Sequence, residues 1–262
     1  MFNKTGRRMA RDGESVLKDA LKEVGARIEQ PTRRAFFQRG LTLGGLSLLS
    51  GCAITDENSV ETALLKVSQF NDKVQGWLFD PDRLAPTYPE SMITRPFPFN
   101  AYYGVDEVRE IDEAAYRLEV TGMVADKRSW TLADLRRMPQ VEQVTRHICV
   151  EGWSAIGKWG GVPFAHFLRL VGADTSAKFV GFKCADDYYT SIDMATAMHA
   201  QTILALTYDG APLPPEYGFP MKLRMPTKLG YKNPKHIQAI FVTNINPGGY
   251  WEDQGYNWFG GS

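Results

Sequence analysis

Short strand and helix signals that do not alternate regularly limit the fold that this chain can adopt after residue 75. Arg117–Val124 and Ile237–Asn244 alternate apolar and polar residues as half-buried strands do, and Lys178–Lys183 has the apolar run of a buried strand. Helical spacing instead predicts short helices over Pro163–Val171 and Ile192–Ala200. Regular alternation would indicate a parallel sheet, whereas this mixed order predicts an α+β domain.

Two further elements follow from local signals. Thr131 is expected to cap a helix that runs to Arg137, with Asp134 as a weaker substitute for the Glu of a capping box. Val141–Val150 is expected to be a strand that carries Cys149 near its end. Prolines and glycines make residues 210–234 a long irregular segment, and long loops in compact domains are usually functional. We therefore expect irregular loops around a site.

Composition excludes several classes of protein. With 262 residues, 44% of them hydrophobic, the chain can bury the core of one good-sized domain or two small ones. Its 30 basic and 30 acidic side chains cancel, so no overall field favours nucleic-acid binding. The three cysteines form no CxxC pair, no haem attachment site and no zinc-site spacing. Neither a GxGxxG turn nor a P-loop is present, which argues against nucleotide-binding enzymes.

The first 52 residues have the features of an export signal. Thr32–Gln38 reads Thr-Arg-Arg-Ala-Phe-Phe-Gln, the twin-arginine form, and an apolar stretch of small residues, Gly40–Gly51, follows. This stretch is too short for a membrane span, which needs about twenty residues. It ends in Leu-Ser-Gly before Cys52, which resembles a lipobox. The alternative is a chance Arg-Arg pair before a core helix. Helical spacing over Val16–Ile28 adds an amphipathic extension of no assigned function.

Export by the twin-arginine (Tat) machinery has consequences for location and chemistry. That route carries folded proteins and is commonly used by enzymes that load a cofactor in the cytoplasm. We therefore predict a periplasmic protein with a cofactor. A lipid on Cys52 would also anchor it to a membrane face.

Cys149 lies among residues that suit a reactive or metal-binding thiol. Arg146 and His147 precede it, and nearby cations would favour the thiolate, which is the form that binds soft metals. The alternative is a buried structural cysteine, because free cysteine often packs as a small hydrophobe. Asp186 and Asp187 are the acidic residues that a second metal site would need. Adjacent strand residues point to opposite faces and cannot clamp one ion, so we predict a loop there.

Three motifs together resemble a known family. Cys149–Ser154 reads Cys-Val-Glu-Gly-Trp-Ser, Leu213–Pro215 reads Leu-Pro-Pro, and Lys228–Lys232 reads Lys-Leu-Gly-Tyr-Lys. In this order and spacing they resemble the molybdopterin-binding domain of the sulfite oxidase superfamily, over about residues 95–245. Within it, the closer likeness is to periplasmic methionine sulfoxide reductase catalytic subunits, whose first motif is Cys-Val-Glu-Ala-Trp-Ser. The resemblance implies a mixed-sheet fold in a single catalytic domain over residues 76–262, after a linker over residues 53–75.

The resemblance also implies a Mo-molybdopterin cofactor with one molybdenum, whose protein ligand is the Cys149 thiolate. Glu151 is the second catalytic candidate, as a proton relay or a holder of water, although a solvated surface carboxylate would look the same. Asn100 and Tyr103 fall at positions that contact the cofactor in the family.

Further cofactor contacts come from the same likeness. Asn233, Pro234 and Lys235 fall where the family surrounds the pterin phosphate, and their alternative is a solvated basic loop. Three positions depart from the reductase pattern, and they are Cys184 in place of threonine, Tyr217 in place of asparagine and Lys222 in place of arginine. Lysine keeps the charge of arginine but loses its planar fork. Cys184 also fits an inert core thiol.

The leading hypothesis is a molybdenum-dependent oxidoreductase that transfers an oxygen atom, with two electrons, on a small sulfur-containing or oxo substrate. Because the sequence has no haem motif, electrons would pass to or from a membrane cytochrome b or a cytochrome c. No dimerisation domain is expected, so we predict a monomer. One alternative is a cofactor-free periplasmic binding lipoprotein on the same fold. Another is a thiol enzyme with Cys149 as nucleophile.

Overall fold

The computed structural model describes residues 57–262, of which Ala63–Ser262 form one compact unit. The predicted export signal, lipobox and amphipathic extension lie outside the described residues. Most of the predicted linker is helical, because helix α1 spans Glu57–Leu78. Sequence analysis did not predict this helix, and the limits of the domains stay predictions.

Nine strands and three further α-helices follow α1 in the described residues. The strands are β1 (Glu119–Gly122), β2 (Val141–Ile148), β3 (Ser154–Pro163), β4 (Phe179–Cys184), β5 (Tyr189–Asp193), β6 (Ile203–Tyr208), β7 (Ala211–Pro212), β8 (Lys222–Arg224) and β9 (Ile237–Thr243). The helices are α2 (Leu132–Arg137), α3 (Phe164–Leu170) and α4 (Met194–Met198).

The strands form two sheets. One has the order β1-β9-β4-β5, in which β1 runs parallel to β9 and the other pairs are antiparallel. The other has the order β2-β3-β6-β7, with β8 also paired to β6, and all its pairs are antiparallel. Mixed strand directions with a few short helices confirm the predicted α+β class.

The larger core draws on both sheets. Val180 and Phe182 of β4, Leu204 of β6 and Leu223 of β8 are all fully buried in it. A smaller core surrounds Trp159 of β3, which is also fully buried. Close-packed apolar side chains of this kind hold a β-rich domain rigid, so the loops at the sheet edges have a fixed base.

The β2–β3 hairpin positions the cysteine motif. Its register runs from Val141 opposite Gly161 to Ile148 opposite Ser154, so residues 149–153 form the connecting turn. Within that turn the Cys149 N–H donates to the Trp153 carbonyl at 2.9 Å, and the Gly152 N–H donates to the Cys149 carbonyl at 3.1 Å. Gly152 has φ +92°, a conformation that glycine adopts without strain. The cysteine is therefore held by two paired strands.

Most predicted elements are confirmed with small shifts of their ends. Strand β3 is also present, although sequence analysis did not predict it. Its glycines interrupt the alternation of apolar and polar side chains. They are needed because the neighbouring strand comes very close, and a Cβ on Gly161 would lie 1.9 Å from the Leu204 carbonyl oxygen. β5 and β6 were not predicted either, and β6 is a nearly continuous buried run.

The predicted cap of α2 gives a direct test of local stability. The Thr131 hydroxyl accepts from the Asp134 N–H at 3.1 Å, and the Thr131 N–H donates to the Asp134 carboxylate at 3.0 Å. We expect Thr131→Ala to lower the free energy of unfolding by about 1 kcal/mol, measured by urea denaturation. Ser129→Ala, at an exposed neighbouring position, is the control and should change it little. Equal effects of the two substitutions would contradict this role of the cap.

Candidate active site

A cavity of about 220 Å³ lies beside the turn that follows β2. Its walls come from five parts of the chain, which are residues 99–103, 149–151, 186–188, 230–235 and 251–256. Most of these segments are loops at the ends of strands. Irregular loops therefore surround the cavity, as predicted, but only residues 230–234 come from the predicted irregular segment 210–234, which also contains strands β7 and β8.

The cavity brings most of the predicted site residues together. Those that line it are Asn100, Tyr103, Cys149, Glu151, Asn233, Pro234 and Lys235. These residues are far apart in the sequence, from position 100 to position 235, and the fold brings them together. Their roles toward a cofactor stay predictions.

The other three predicted residues do not line the cavity. Cys184 ends β4 in the larger core, and burial raises its thiol pKa well above the usual value. Tyr217 donates its hydroxyl to the Phe97 carbonyl at 2.9 Å. Lys222 is fully buried, and its Nζ lies 5.1 Å from the ring centroid of Trp159. A direct cofactor contact for these three therefore stays a prediction, and Cys184 fits the core-thiol alternative.

Cys149 is 7% exposed and lies at the cavity wall. Its Sγ is 3.7 Å from Glu151 Oε2, and the same oxygen accepts from Trp153 Nε1 at 2.9 Å. Burial raises the pKa of the thiol, and the Glu151 carboxylate raises it further, although backbone N–H groups oppose this. In the absence of a metal the neutral thiol is therefore favoured.

The expectation that nearby cations create a thiolate was wrong for the protein alone. The Arg146 guanidinium lies 5.1 Å over the Tyr88 ring. His147 is fully buried, and burial lowers its pKa well below the usual value, so the imidazole is neutral. A neutral thiol is a poor nucleophile, which weakens the thiol-enzyme hypothesis. Metal coordination would remove the proton instead.

His147 fixes one side of the site. Its Nε2 is 3.3 Å from Asn100 Nδ2, while its Nδ1 has no hydrogen-bond partner in the structure. Gly230 passes so close that a Cβ there would lie 2.7 Å from His147 Nε2. The absence of a side chain at position 230 thus lets the 230–235 loop approach the asparagine and histidine.

Three buried cations lie close to one another near this loop. Lys222, Arg224 and Lys235 form no ion pair with a carboxylate among residues 57–262. Burial lowers the pKa of Arg224 to about 9 and that of Lys235 to about 8, while it lowers the pKa of Lys222 strongly. Unpaired buried charge is unfavourable, so an anionic ligand beside these side chains would be stabilised.

Hydrogen bonds partly compensate these cations. Arg224 donates to the Arg146 carbonyl at 2.6 Å and to the Thr145 hydroxyl at 3.1 Å, but its Nε has no partner. Lys235 donates to the Glu216 carbonyl at 2.8 Å. The Asn233 side chain accepts from the Met225 N–H at 2.6 Å, which fixes its orientation at the cavity. Donor groups around a cationic loop match the needs of a phosphate.

Asp186 belongs to the site, although the sequence predicts only a loop there. The loop is confirmed, with Asp187 at φ +64°, but Asp186 also lines the cavity and accepts from the Tyr103 hydroxyl at 2.9 Å. The Tyr102 hydroxyl donates to the Asp186 carbonyl. Tyr188, which follows the two aspartates and also lines the cavity, was the sequence feature that could have indicated a site here. Among residues 57–262, no three His, Cys, Asp or Glu side chains lie close enough to hold a metal ion.

Aromatic rings form the rest of the wall. Tyr102 stacks on Tyr250 with centroids 4.7 Å apart, and Tyr188 lies 5.7 Å from Tyr250. Trp251 and Tyr256 of the C-terminal tail also line the cavity. The tail thus closes one side of the site with apolar surface.

Comparison with known proteins gives a consistent assignment. The family model of the oxidoreductase molybdopterin binding domain matches residues 105–251. A protein of Azospira oryzae, provisionally named protein-methionine-sulfoxide reductase subunit YedZ1, is 75% identical over 262 residues and both chains are fully covered. The protein-methionine-sulfoxide reductase catalytic subunit MsrP of Ralstonia nicotianae is 30% identical over 161 residues, which cover 55% of this chain and 49% of MsrP.

A solved structure supports the fold. The sulfane dehydrogenase SoxCD of Paracoccus pantotrophus superposes with a TM-score of 0.50 at 22% identity, over 53% of this chain and 40% of the SoxCD chain. This likeness concerns the fold alone, and it agrees with the predicted single domain of the sulfite oxidase type. The chain therefore belongs to the oxidoreductase family with a molybdopterin-binding domain, within the sulfite oxidase superfamily.

Proposed function

We propose that this oxidoreductase binds one molybdenum through a molybdopterin and reduces a small sulfoxide of the methionine sulfoxide type. The observation that carries the proposal is a single cavity lined by both the Cys149 thiol and the cationic loop around Lys235. A thiol suits a soft metal, and a cationic, donor-rich loop suits a phosphate. The names of the two reductase relatives support the choice of sulfoxide.

The residues of the site fit the cofactor in charge and in free hydrogen-bonding groups. The buried cations lack a carboxylate partner among the described residues, and His147 Nδ1 and Arg224 Nε have no partner atom. In the proposed complex Cys149 holds the metal, while Asn233 and Lys235 hold the phosphate. Asn100 and Tyr103 lie against the pterin. Bound in this way, the cofactor would supply two-electron redox chemistry and oxygen-atom transfer.

The protein contributes orientation and proton handling. Glu151 is fixed by the Trp153 N–H and lies next to Cys149 Sγ, where it can hold a water or pass a proton. Reduction of a sulfoxide takes two electrons and two protons and yields a thioether and water. The aromatic wall around Tyr102 and Trp251 excludes water and suits a thioether, since sulfur packs favourably against aromatic rings.

The proposed reaction needs an electron donor. Because the sequence carries no haem attachment motif, we assign this role to a membrane cytochrome b or a cytochrome c. The twin-arginine signal and the lipobox-like Cys52 support export to the periplasm and a lipid anchor close to such a donor. We propose a monomeric catalytic unit.

The metal assignment is tested with Cys149→Ser, purified beside the parent from a host that makes molybdopterin. Elemental mass spectrometry should find near one molybdenum per chain in the parent. The variant should show a changed molybdenum paramagnetic-resonance signal and lose more than about 100-fold in sulfoxide reduction with a reduced dye, because loss of a metal ligand exceeds the effects of its supporting groups.

Glu151→Gln serves as the comparison, since it should keep the metal and its signal while it slows turnover. Circular dichroism of all proteins checks the fold. If neither the parent nor Cys149→Ser contains molybdenum or pterin, the proposal fails and the binding-lipoprotein hypothesis replaces it.

The buried cations predict an unusual pH dependence of the cofactor-free protein. Burial lowers the folded pKa of Lys228 to about 7, that of Lys235 to about 8 and that of Arg224 to about 9, all below the unfolded values. The unfolded chain then binds more protons, so the free energy of unfolding should rise between about pH 7 and pH 10. Above that range the buried tyrosines, whose pKa values are raised, reverse the trend.

Urea denaturation across this range measures the slope. Lys228→Met should reduce it, whereas Lys127→Met, at an exposed position, should not. Pyrophosphate should reduce the slope more than chloride at equal ionic strength, because an anion near Lys235 stabilises its charged form. A flat or falling stability over this range would refute the prediction.

The proposed anchor is tested by expression with a labelled fatty acid. The parent should carry the label and shift in mobility, and Cys52→Ala should lose both. Cys184→Ala, which removes a core thiol, is the matched control and should keep the label. A label that persists in Cys52→Ala would exclude Cys52 as the lipidated residue.

A further inference from the structure

Helix α1 turns an apolar surface away from the protein. Trp77 is 82% exposed and Phe70 is 64% exposed, values that are high for such large rings. They belong to a set of exposed apolar residues that we name the α1 stripe, namely Leu64, Val67, Phe70, Trp77 and Leu78. Spacings of three, seven and eleven residues place this set on one face of a helix with 3.6 residues per turn.

A neighbouring side of α1 contacts the domain through polar groups. The Asp72 carboxylate accepts from the Phe259 N–H at 2.7 Å, and the Gln75 side chain accepts from the Gly261 N–H at 3.1 Å. The Phe79 ring, just past the helix end, packs edge-on against Phe259 at 5.7 Å. A surface helix normally buries its apolar face, whereas most of the large apolar side chains of α1 are exposed. Contiguous exposed apolar surface marks an interaction site.

The charges on the outer side of α1 are positive. Between Leu64 and Leu78 the charged residues are Lys66, Asp72 and Lys73, and Asp72 is engaged with the tail. Lys66 and Lys73 are exposed and form no ion pair among the described residues. At 100° per residue they lie along the edge of the stripe formed by Phe70 and Trp77. An apolar face with lysines at its edge is typical of helices that bind anionic membrane surfaces.

The position of α1 in the chain also favours a lipid surface. Cys52, the proposed lipidation site, precedes the first helical residue Glu57 by five residues, which reach less than about 20 Å when extended. No helix among residues 57–262 is long and apolar enough to span a bilayer. A second copy of the chain would bring the same positive charges to the stripe, so it offers no charge complementarity and a lipid surface is favoured.

We propose that α1 lies in the interface of a membrane that contains anionic phospholipid, with the α1 stripe in the apolar boundary and Lys66 and Lys73 among the headgroups. Only the position of α1 near the membrane draws on the proposed anchor at Cys52. The surface itself is independent of the proposed catalysis, because no residue of α1 lines the cavity.

The test uses full-length holoenzyme with Cys52→Ala, so that no acyl chain on that residue contributes. Sedimentation with vesicles of phosphatidylcholine, alone or mixed equally with phosphatidylglycerol, measures the partition coefficient. Phe70→Ser with Trp77→Ser should lower it about tenfold or more, because two large side chains leave the lipid boundary. Ile245→Ser is the matched control, since Ile245 is 80% exposed outside α1 and should leave binding unchanged.

The charges are tested separately. Lys66→Glu with Lys73→Glu should reduce binding to the anionic vesicles far more than to phosphatidylcholine, while Lys127→Glu should not. Failure of the parent to bind anionic vesicles, or equal binding by the stripe variant and Ile245→Ser, would overturn the proposal. A parent that is dimeric by light scattering, and monomeric after the stripe substitutions, would overturn it in favour of a second copy. These outcomes do not depend on molybdenum content, so they are separate from failure of the proposed function.

Discussion

Lys222, Arg224 and Lys235 are buried close together, and none of them forms an ion pair with a carboxylate among the described residues. The backbone bears much of this cost, because Arg224 of β8 donates to the carbonyl of Arg146 on β2. This bond ties two strands that are not paired with each other, directly behind the turn that carries Cys149. The buried cations, which would favour an anionic ligand, and the turn that holds the Cys149 thiol are thus joined by the same hydrogen bond.

Sequence analysis could predict the parts of this arrangement that depend on local rules. The cap at Thr131 follows from backbone chemistry, and it is observed. The placement of Cys149 after a strand follows from periodicity. The resemblance of three short motifs then brought together residues such as Asn100 and Lys235, which periodicity alone does not connect.

The remaining features depend on tertiary contacts that local patterns do not record. β3 has the glycines of a loop, but Gly161 is needed for the close approach of β6. The thiol of Cys149 has a raised pKa because burial outweighs its cationic sequence neighbours. Asp186 lines the cavity, where its carboxylate accepts from the hydroxyl of Tyr103, a residue distant in the chain. Helix α1 was missed because the many polar residues between 53 and 75 indicate a linker, although apolar residues recur among them at helical spacing.

The tail over residues 251–261 contacts both the cavity and helix α1. Trp251 and Tyr256 line the cavity, and a few residues later the N–H groups of Phe259 and Gly261 hold α1. Lys228 stabilises the second of these contacts, because its ammonium group donates to the Phe259 carbonyl and lies over the Phe259 ring. Residues 251–261 consequently connect the helix to the mouth of the cavity, so a shift of this segment would change both.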